Sequence, residues 1–255
     1  MLTIISCNVN GLRAAHRKGF LGWLHREKPD ILCLQETRCN PEELDAALRE
    51  PTGYNTFWEQ STRKGYSGVA LFCRQMPRAV EAVKIDGAQH GESGRVLKAE
   101  FDPFVLVNVY VPSRENTKTW AQKQTFLQNL LTYMREMTAR GKPIILCGDF
   151  NIAHQQHLDI QPPQARKRHV SLLNAETAWV DDLLACRLVD AFRWRYPEVE
   201  AYTWKQPKPT WRLDYIFVSE ALCPSVVDSR IHTEIGFSDH CPVSVTLEGD
   251  MLWKR

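Results

Sequence analysis

Gly148-Asp149-Phe150-Asn151 follows the unbroken apolar run Ile144 to Cys147, so a carboxylate and an amide stand two residues apart where a buried strand reaches the surface. A carboxylate so placed can orient or deprotonate water while the amide holds an oxygen beside it. Glu36 ends a second apolar run, Ile31 to Leu34, with no lysine beside it, which suits a hard divalent cation. Asp239-His240 adds a histidine that a nearby acid can keep protonated at neutral pH, and Asp214 can supply that acid. Tyr110, after the run Phe104 to Val109, offers a phenol to a phosphoryl oxygen, and Asn8 and Asn10 follow Thr3-Ile4-Ile5 in the same manner. Each feature alone has an ordinary reading: Asp-x-Asn as a turn, a strand-end acid as a helix cap, a loop histidine or a strand tyrosine as structure. Their recurrence at strand ends points to one site, and the inventory is that of a metal-assisted attack of water on phosphorus. Absent motifs narrow the field further. No Gly-x-x-x-x-Gly-Lys-Ser/Thr loop, Gly-x-Ser-x-Gly elbow or Gly-x-Gly-x-x-Gly turn occurs, which disfavours nucleotide-driven motors, serine hydrolases and dinucleotide enzymes.

The residues that position this set are short runs rich in Val, Ile, Leu and Phe at 2–7, 30–34, 67–73, 104–111, 143–148, 213–218 and 243–247, most too short for helices. Helices are predicted between some of them. Phe20, Leu21, Trp23 and Leu24 form one apolar face; Asn40-Pro41 reads as a cap and first-turn proline. Trp120, Phe126, Leu127, Leu130, Leu131, Met134 and Met137 trace a longer helix stopped near Gly141, and Trp179, Val180, Leu183 and Leu184 trace another. The stretch Ile4 to Asn10 echoes Ile144 to Asn151, as a duplication or by chance. Two similar halves would give two sheets packed face to face with helices outside, their strand ends meeting at one edge; the alternative is one doubly wound sheet.

The chain of 255 residues carries no linker-like tract, and its candidate site draws on both halves, so one domain over 1–255 is expected. With no leader-like start and no apolar stretch of about 18 residues, a soluble, cytoplasmic protein without a membrane partner is the expectation. Eight cysteines without a Cys-x-x-Cys pair read as buried reduced thiols. The net charge of +2 is too small to mark a polyanion partner, but carboxylates gathered for a metal would mask basic residues gathered for phosphates.

Six motifs in order, Asn8-Val9-Asn10-Gly11-Leu12-Arg13-Ala14, Leu34-Gln35-Glu36-Thr37, Gly65-Tyr66-Ser67-Gly68-Val69, Gly148-Asp149-Phe150-Asn151-Ile152-Ala153-His154, Trp211-Arg212-Leu213-Asp214-Tyr215 and Ser238-Asp239-His240-Cys241-Pro242, resemble the exonuclease III / apurinic-apyrimidinic endonuclease family over nearly the whole chain. The resemblance implies an α/β fold, a four-layer sandwich with two packed mixed β-sheets flanked by helices, and a monomeric Mg2+- (or Mn2+-) dependent phosphodiesterase acting on double-stranded DNA that is damaged or has 3′ ends. It implies Glu36 as principal metal ligand, helped by Asn8, Asn10 and Asp239. Asp149 would orient the attacking water and Asn151 fix it, with His240, Asp214 and Tyr110 stabilising phosphoryl charge. Arg13, Arg38, Tyr66, Ser113, Arg166, His169, Trp211 and Arg212 are the DNA contacts it implies.

Three departures from the family bear on substrate. Arg166-Lys167-Arg168-His169 stands where family members acting at abasic sites carry asparagines and a glycine, and these bulkier residues either obstruct an extrahelical sugar or bind a terminal phosphate. The stretch between Trp204 and Trp211, usually a longer DNA-inserting loop, is short and contains Pro207 and Pro209. Ser113 replaces an asparagine of the family pattern. A repair nuclease with 3′→5′ exonuclease and 3′-end-processing activity, and less secure abasic-site incision, is therefore expected. The alternatives are the same fold acting on RNA or a phospholipid, which Trp211 and the basic runs disfavour, and a catalytically silent nucleic-acid-binding module, which the complete polar set disfavours.

Overall fold

The structure, a computed structural model, describes residues 1–85, 94–113, 117–162, 164–165, 170–205 and 210–249. Two six-stranded sheets are built around the apolar runs. The first has the order β13 (Val226–Ile231), β14 (Val243–Leu247), β1 (Leu2–Asn8), β2 (Ile31–Gln35), β4 (Val69–Cys73), β3 (Asn55–Glu59). The second has the order β10 (Leu188–Asp190), β12 (Asp214–Ser219), β8 (Ile144–Asp149), β7 (Val105–Tyr110), β6 (Val96–Glu100), β5 (Ala79–Ala82). In each sheet one central pair is parallel, β1 with β2 and β7 with β8, and every other pair is antiparallel.

Alternation along the strands sorts residues into layers. Leu2, Ile4, Ile31, Cys33, Leu106, Ile145, Cys147, Ile216, Val218, Val243 and Val245 face inward and form the core between the sheets. The opposite phase, Ile5, Cys7, Leu32 and Leu34 on one sheet, packs beneath α1 (Leu12–Arg17) and α2 (Phe20–Glu27). Val105, Val107, Ile144, Leu146, Tyr215 and Phe217 on the other sheet pack beneath α4 (Thr117–Ala139) and α6 (Val170–Leu184). Short helices α5 (Gln156–Asp159) and α7 (Ala191–Arg195) follow β8 and β10. The four-layer sandwich is thus the observed architecture, and the single doubly wound sheet is excluded. The eight cysteines are free and buried. No helix among the described residues is long and apolar enough to cross a membrane.

The runs read from the sequence are the central strands; β3, β5, β6 and β13 were not legible because they lie at or near sheet edges and alternate with polar residues. Asn40 caps only a 310 turn, Pro41–Glu43, through Glu42 N–H at 3.2 Å, and a separate single-turn α3 (Ala46–Arg49) follows, so the expected helix is broken in two. The likeness of Ile4–Asn10 to Ile144–Asn151 pairs β1, the leading strand of its parallel pair, with β8, the trailing strand of the other. The strands that correspond are β1 with β7 and β2 with β8, which sets Glu36 and Asp149 at equivalent ends.

Candidate active site

The inward phase that carries Leu2 and Ile4 continues as Ser6 and Asn8; likewise Cys33 leads to Gln35, Leu106 to Asn108 and Tyr110, Cys147 to Asp149, and Ile216 back to Asp214. The space between the sheets therefore turns from apolar to polar toward one end. Gln35 Nε2 donates across the gap to Asn108 Oδ1 at 2.7 Å and to Ser6 Oγ at 3.0 Å, while Asn108 Nδ2 donates to the carbonyls of Leu34 and Ala70 at 3.1 and 3.0 Å. This bonded floor fixes the two sheets against each other beneath the charged groups.

Beyond the floor, Asn8 Nδ2 donates to Glu36 Oε1 and to Asp149 Oδ2, both at 2.8 Å, and Asn8 Oδ1 accepts from Asn10 N–H at 2.9 Å. Two carboxylates cannot bond each other when ionised, so the amide nitrogen is required between them. Asn10 Nδ2 and Trp204 Nε1 donate to the two oxygens of Asp239 at 2.9 and 3.1 Å. Asn151 N–H and Nδ2 donate to Asp149 Oδ1 and Oδ2 at 2.8 and 3.2 Å, and Nδ2 also reaches the Val111 carbonyl at 2.9 Å. Asp149 and Asn151 meet through this tight turn past the end of β8 rather than through strand alternation.

Local backbone makes these approaches possible. Asn10, Glu36, Arg38, Ser67 and Asn151 are five of the seven non-glycine residues with positive φ among the described residues. Such conformations cost about 1–3 kcal/mol each and persist where surrounding bonds impose them. Here Glu36 and Thr37 carbonyls accept from Gly11 and Leu12 N–H, while Thr37 and Arg38 N–H donate to Gly68 and Ser67 carbonyls. Gly148 is needed because a Cβ there would stand 1.8 Å from the Val109 carbonyl oxygen on the adjacent strand.

Burial and charge set the protonation states. Asp149 is fully enclosed, and burial, with the neighbouring Asp214 and Glu36 charges, pushes its pKa up to about 7 against the pull of His240 and the Asn8 amide. His240 Nδ1 meets Asp214 Oδ2 at 2.9 Å; although burial opposes its charge, Asp214, Asp149 and Asp239 together push the imidazole up to about 10. Burial, followed by the charges of Glu36 and Asp149, holds the Tyr110 phenol protonated. Asp149, Asp214 and His240 each bring one atom within 4.8 Å of the others. An imidazolium bonded to Asp214 is a donor, not a metal ligand. The hard oxygens of Glu36 and Asp239 fit a divalent cation better, and Asn8 serves them chiefly as a donor that ties Glu36 to Asp149. The guanidinium of Arg38 bonds Glu36 Oε2, so a positive charge is already accommodated at that carboxylate.

Other expected contacts scatter. Arg13, Arg38 and Tyr66 line a cleft of about 290 Å³ together with Arg63 and Lys64, and Ser113 is exposed beyond β7. Trp211 lies half-buried on β11 (Thr210–Trp211), paired with β9 (Ile160–Gln161). Arg212 is a correction: its guanidinium is 1% exposed, bonded to Asp159 at 2.9 Å and Asp190 at 2.6 Å and stacked 4.2 Å over the Tyr215 ring, leaving nothing to offer DNA. Arg166 and His169 lie outside the described residues. Two further residues had no local sequence signal. Thr203 Oγ1 donates to Asp214 Oδ2 at 2.5 Å and accepts from Leu213 and Asp214 N–H. Arg95 is buried, lies 4.8 Å over the Tyr110 ring and bonds Tyr66 Oη at 2.9 Å.

Residues 5–240 match the model of the Endonuclease/Exonuclease/phosphatase family. The chain is 37% identical to an exodeoxyribonuclease of Bacillus subtilis, covering 96% of this chain and 99% of the relative, and 37% identical to the DNA repair nuclease APEX1 of Danio rerio, covering 96% and 82%. Among solved structures it superposes on the 3′ phosphatase NExo from Neisseria bound to a product DNA hairpin, with a TM-score of 0.88, 27% identity and coverage of 98% and 100%. It likewise superposes on an AP endonuclease from Archaeoglobus fulgidus, with a TM-score of 0.84, 26% identity and coverage of 98% and 100%. Paired sheets, a polar set drawn from both of them at one end, and relatives matched over most or all of their length agree: the chain belongs to the endonuclease/exonuclease/phosphatase family.

Proposed function

We propose that this protein is a DNA-repair nuclease, a Mg2+- or Mn2+-dependent phosphodiesterase that removes nucleotides and blocking groups from 3′ ends of double-stranded DNA, with abasic-site incision as the lesser activity. The observation that carries the reading is Asp149: a fully buried carboxylate, gripped by three donors, whose pKa near 7 lets it exist both with and without its proton at working pH.

In this reading Glu36 and Asp239, steadied by Asn8 and Asn10, hold the cation, which when bound would neutralise charge on the phosphoryl oxygens. Ionised Asp149 accepts the proton of the attacking water as the water oxygen bonds to phosphorus. Asn151 fixes the carboxylate so that its free direction faces that water. His240, with Nδ1 committed to Asp214, presents its other N–H to a phosphoryl oxygen, and Tyr110 donates its phenol to the same group. The bond from phosphorus to the 3′ oxygen then breaks, its electron pair leaves on that oxygen, and the oxygen takes a proton from solvent to give the 3′ hydroxyl. Preference for ends over internal abasic sites rests on the short stretch between Trp204 and Trp211 and on the substitutions at 166–169.

One labelled duplex in three versions tests this: a recessed undamaged 3′ end, a 3′-phosphate and an internal abasic analogue, each with magnesium. Processing of both ends faster than incision is expected. Incision as fast as end processing would refute the preference, and turnover of an RNA or phospholipid without turnover of DNA would refute the substrate class.

A further inference from the structure

The buried stripe of α4 runs Phe126, Leu127, Leu130, Leu131, Met134 and Met137, and one helical turn before it, in the same row, stands Lys123. Its side chain is 0% exposed. Nζ donates to Glu176 Oε1 on α6 at 2.7 Å and to the backbone carbonyl of Asn151 at 2.7 Å. Glu176 is itself 1% exposed. Enclosing an ammonium and a carboxylate costs more than filling the same space with apolar side chains, so this pair is poorly explained as a source of stability. What it does is reach from the helix layer to the one turn whose geometry the site depends on. Asn151 holds a left-handed φ of 51°, and its N–H and amide both bond Asp149.

We infer that Lys123, held by Glu176, is a positioning residue for the cleavage reaction: its ammonium anchors the Asn151 carbonyl and thereby sets the angle at which Asn151 grips Asp149. The inference deepens the nuclease reading and rests on it for its kinetic consequences. The α6 helix adds a second hold on the same loop, since Thr177 Oγ1 donates to the His154 carbonyl at 3.3 Å. Lys123 and Glu176 act on the site through the Asn151 carbonyl.

The test is the double variant Lys123→Met/Glu176→Leu, which removes both buried charges together and keeps apolar volume. On the recessed duplex with magnesium, kcat is expected to fall about ten- to hundredfold with KM little changed, the scale set by a misplacement of about 1 Å. In 15N-labelled protein the side-chain amide resonances of Asn151 should shift. In an Asn151→Ala background, which keeps the backbone carbonyl and N–H of residue 151 but loses the side-chain amide that grips Asp149, the same two substitutions should lower kcat by a smaller factor than in the parent, whereas a merely structural role would lower it by the same factor. Unmoved Asn151 resonances, an unchanged kcat or an undiminished loss in that background would each overturn the inference. Full activity of Asn151→Ala alone would instead sink the nuclease assignment of Asn151, while the resonances would still report whether Lys123 positions it. If the double variant does not fold, Lys123→Arg keeps the charge and displaces the donor; the same resonance shift and kcat loss are expected, and their absence overturns the inference.

Discussion

Asp159 and Asp190 meet Arg193 and Arg212 in a cluster where two carboxylates face two guanidiniums, whereas Glu36, Asp149, Asp214 and Asp239 at the sheet ends face one imidazole and the half-exposed guanidinium of Arg38. Both groups are enclosed, and both are densely bonded. In the first, opposite charges balance, and Arg212 is driven further toward its charged form by Asp190 and Asp159 despite burial. In the second, burial together with surplus negative charge raises Asp149 toward neutrality, and the same surplus charge locks a proton on His240 against the effect of burial. Burial of charge alone therefore does not mark a site; imbalance does, because only an unbalanced cluster retains affinity for a cation and a carboxylate ready to exchange a proton.

The sharpest way to break this contrast is to remove the proposed cation ligand. Glu36→Ala should lower magnesium-dependent cleavage by about 10³-fold, since a bound cation supplies several kcal/mol to the transition state and each 1.4 kcal/mol is tenfold; steady-state kinetics on the recessed duplex decide it. Arg212→Met acts on the balanced cluster and should lower unfolding stability by about 3–5 kcal/mol in urea, because two buried carboxylates lose a partner. Weakened DNA binding with unchanged stability would return Arg212 to the interface and undo the comparison.

The pH dependence separates the clusters next. Cleavage should fall about tenfold per unit as pH drops below about 7 and Asp149 takes up a proton, while His240 stays protonated up to about 10. For stability the sign is reversed. Asp149 is raised, so its favourable contribution is complete below the ordinary value of 3.8 and is lost as pH rises to about 7. His240 is also raised, so its contribution is present below 6.5 and is lost as pH rises through about 10. A pH series of kcat/KM and of the melting temperature checks both. The smallest effect belongs to the basic cleft: Arg13→Ala should reduce the slope of log affinity against log salt by about 0.9 if Arg13 meets a phosphate.

The sequence made the centre of the molecule readable and its margins less so, for a physical reason. Strands buried on both faces must be apolar throughout, so β1, β2, β7, β8 and β12 announce themselves, and their polar ends mark the site. Edge strands such as β5, exposed at every residue but the half-buried Val80, carry no such signature. Thr203 and Arg95 escaped because their partners, Asp214 and Tyr110, lie 11 and 15 residues away along the chain and meet them only in the folded form. Arg212 misled in the opposite direction: a base beside Trp211 reads as an interface residue until Asp159 and Asp190 close around it.

The central claim, that the unbalanced cluster is the hydrolytic centre and Asp149 its proton acceptor, is tested most directly by Asp149→Asn. Cleavage of the recessed duplex and affinity for it should be measured side by side, together with melting at pH 8. The account expects no detectable cleavage, DNA affinity close to that of the parent, and a cooperative melting transition showing that the variant is folded. Cleavage at the parent rate in this variant would contradict it.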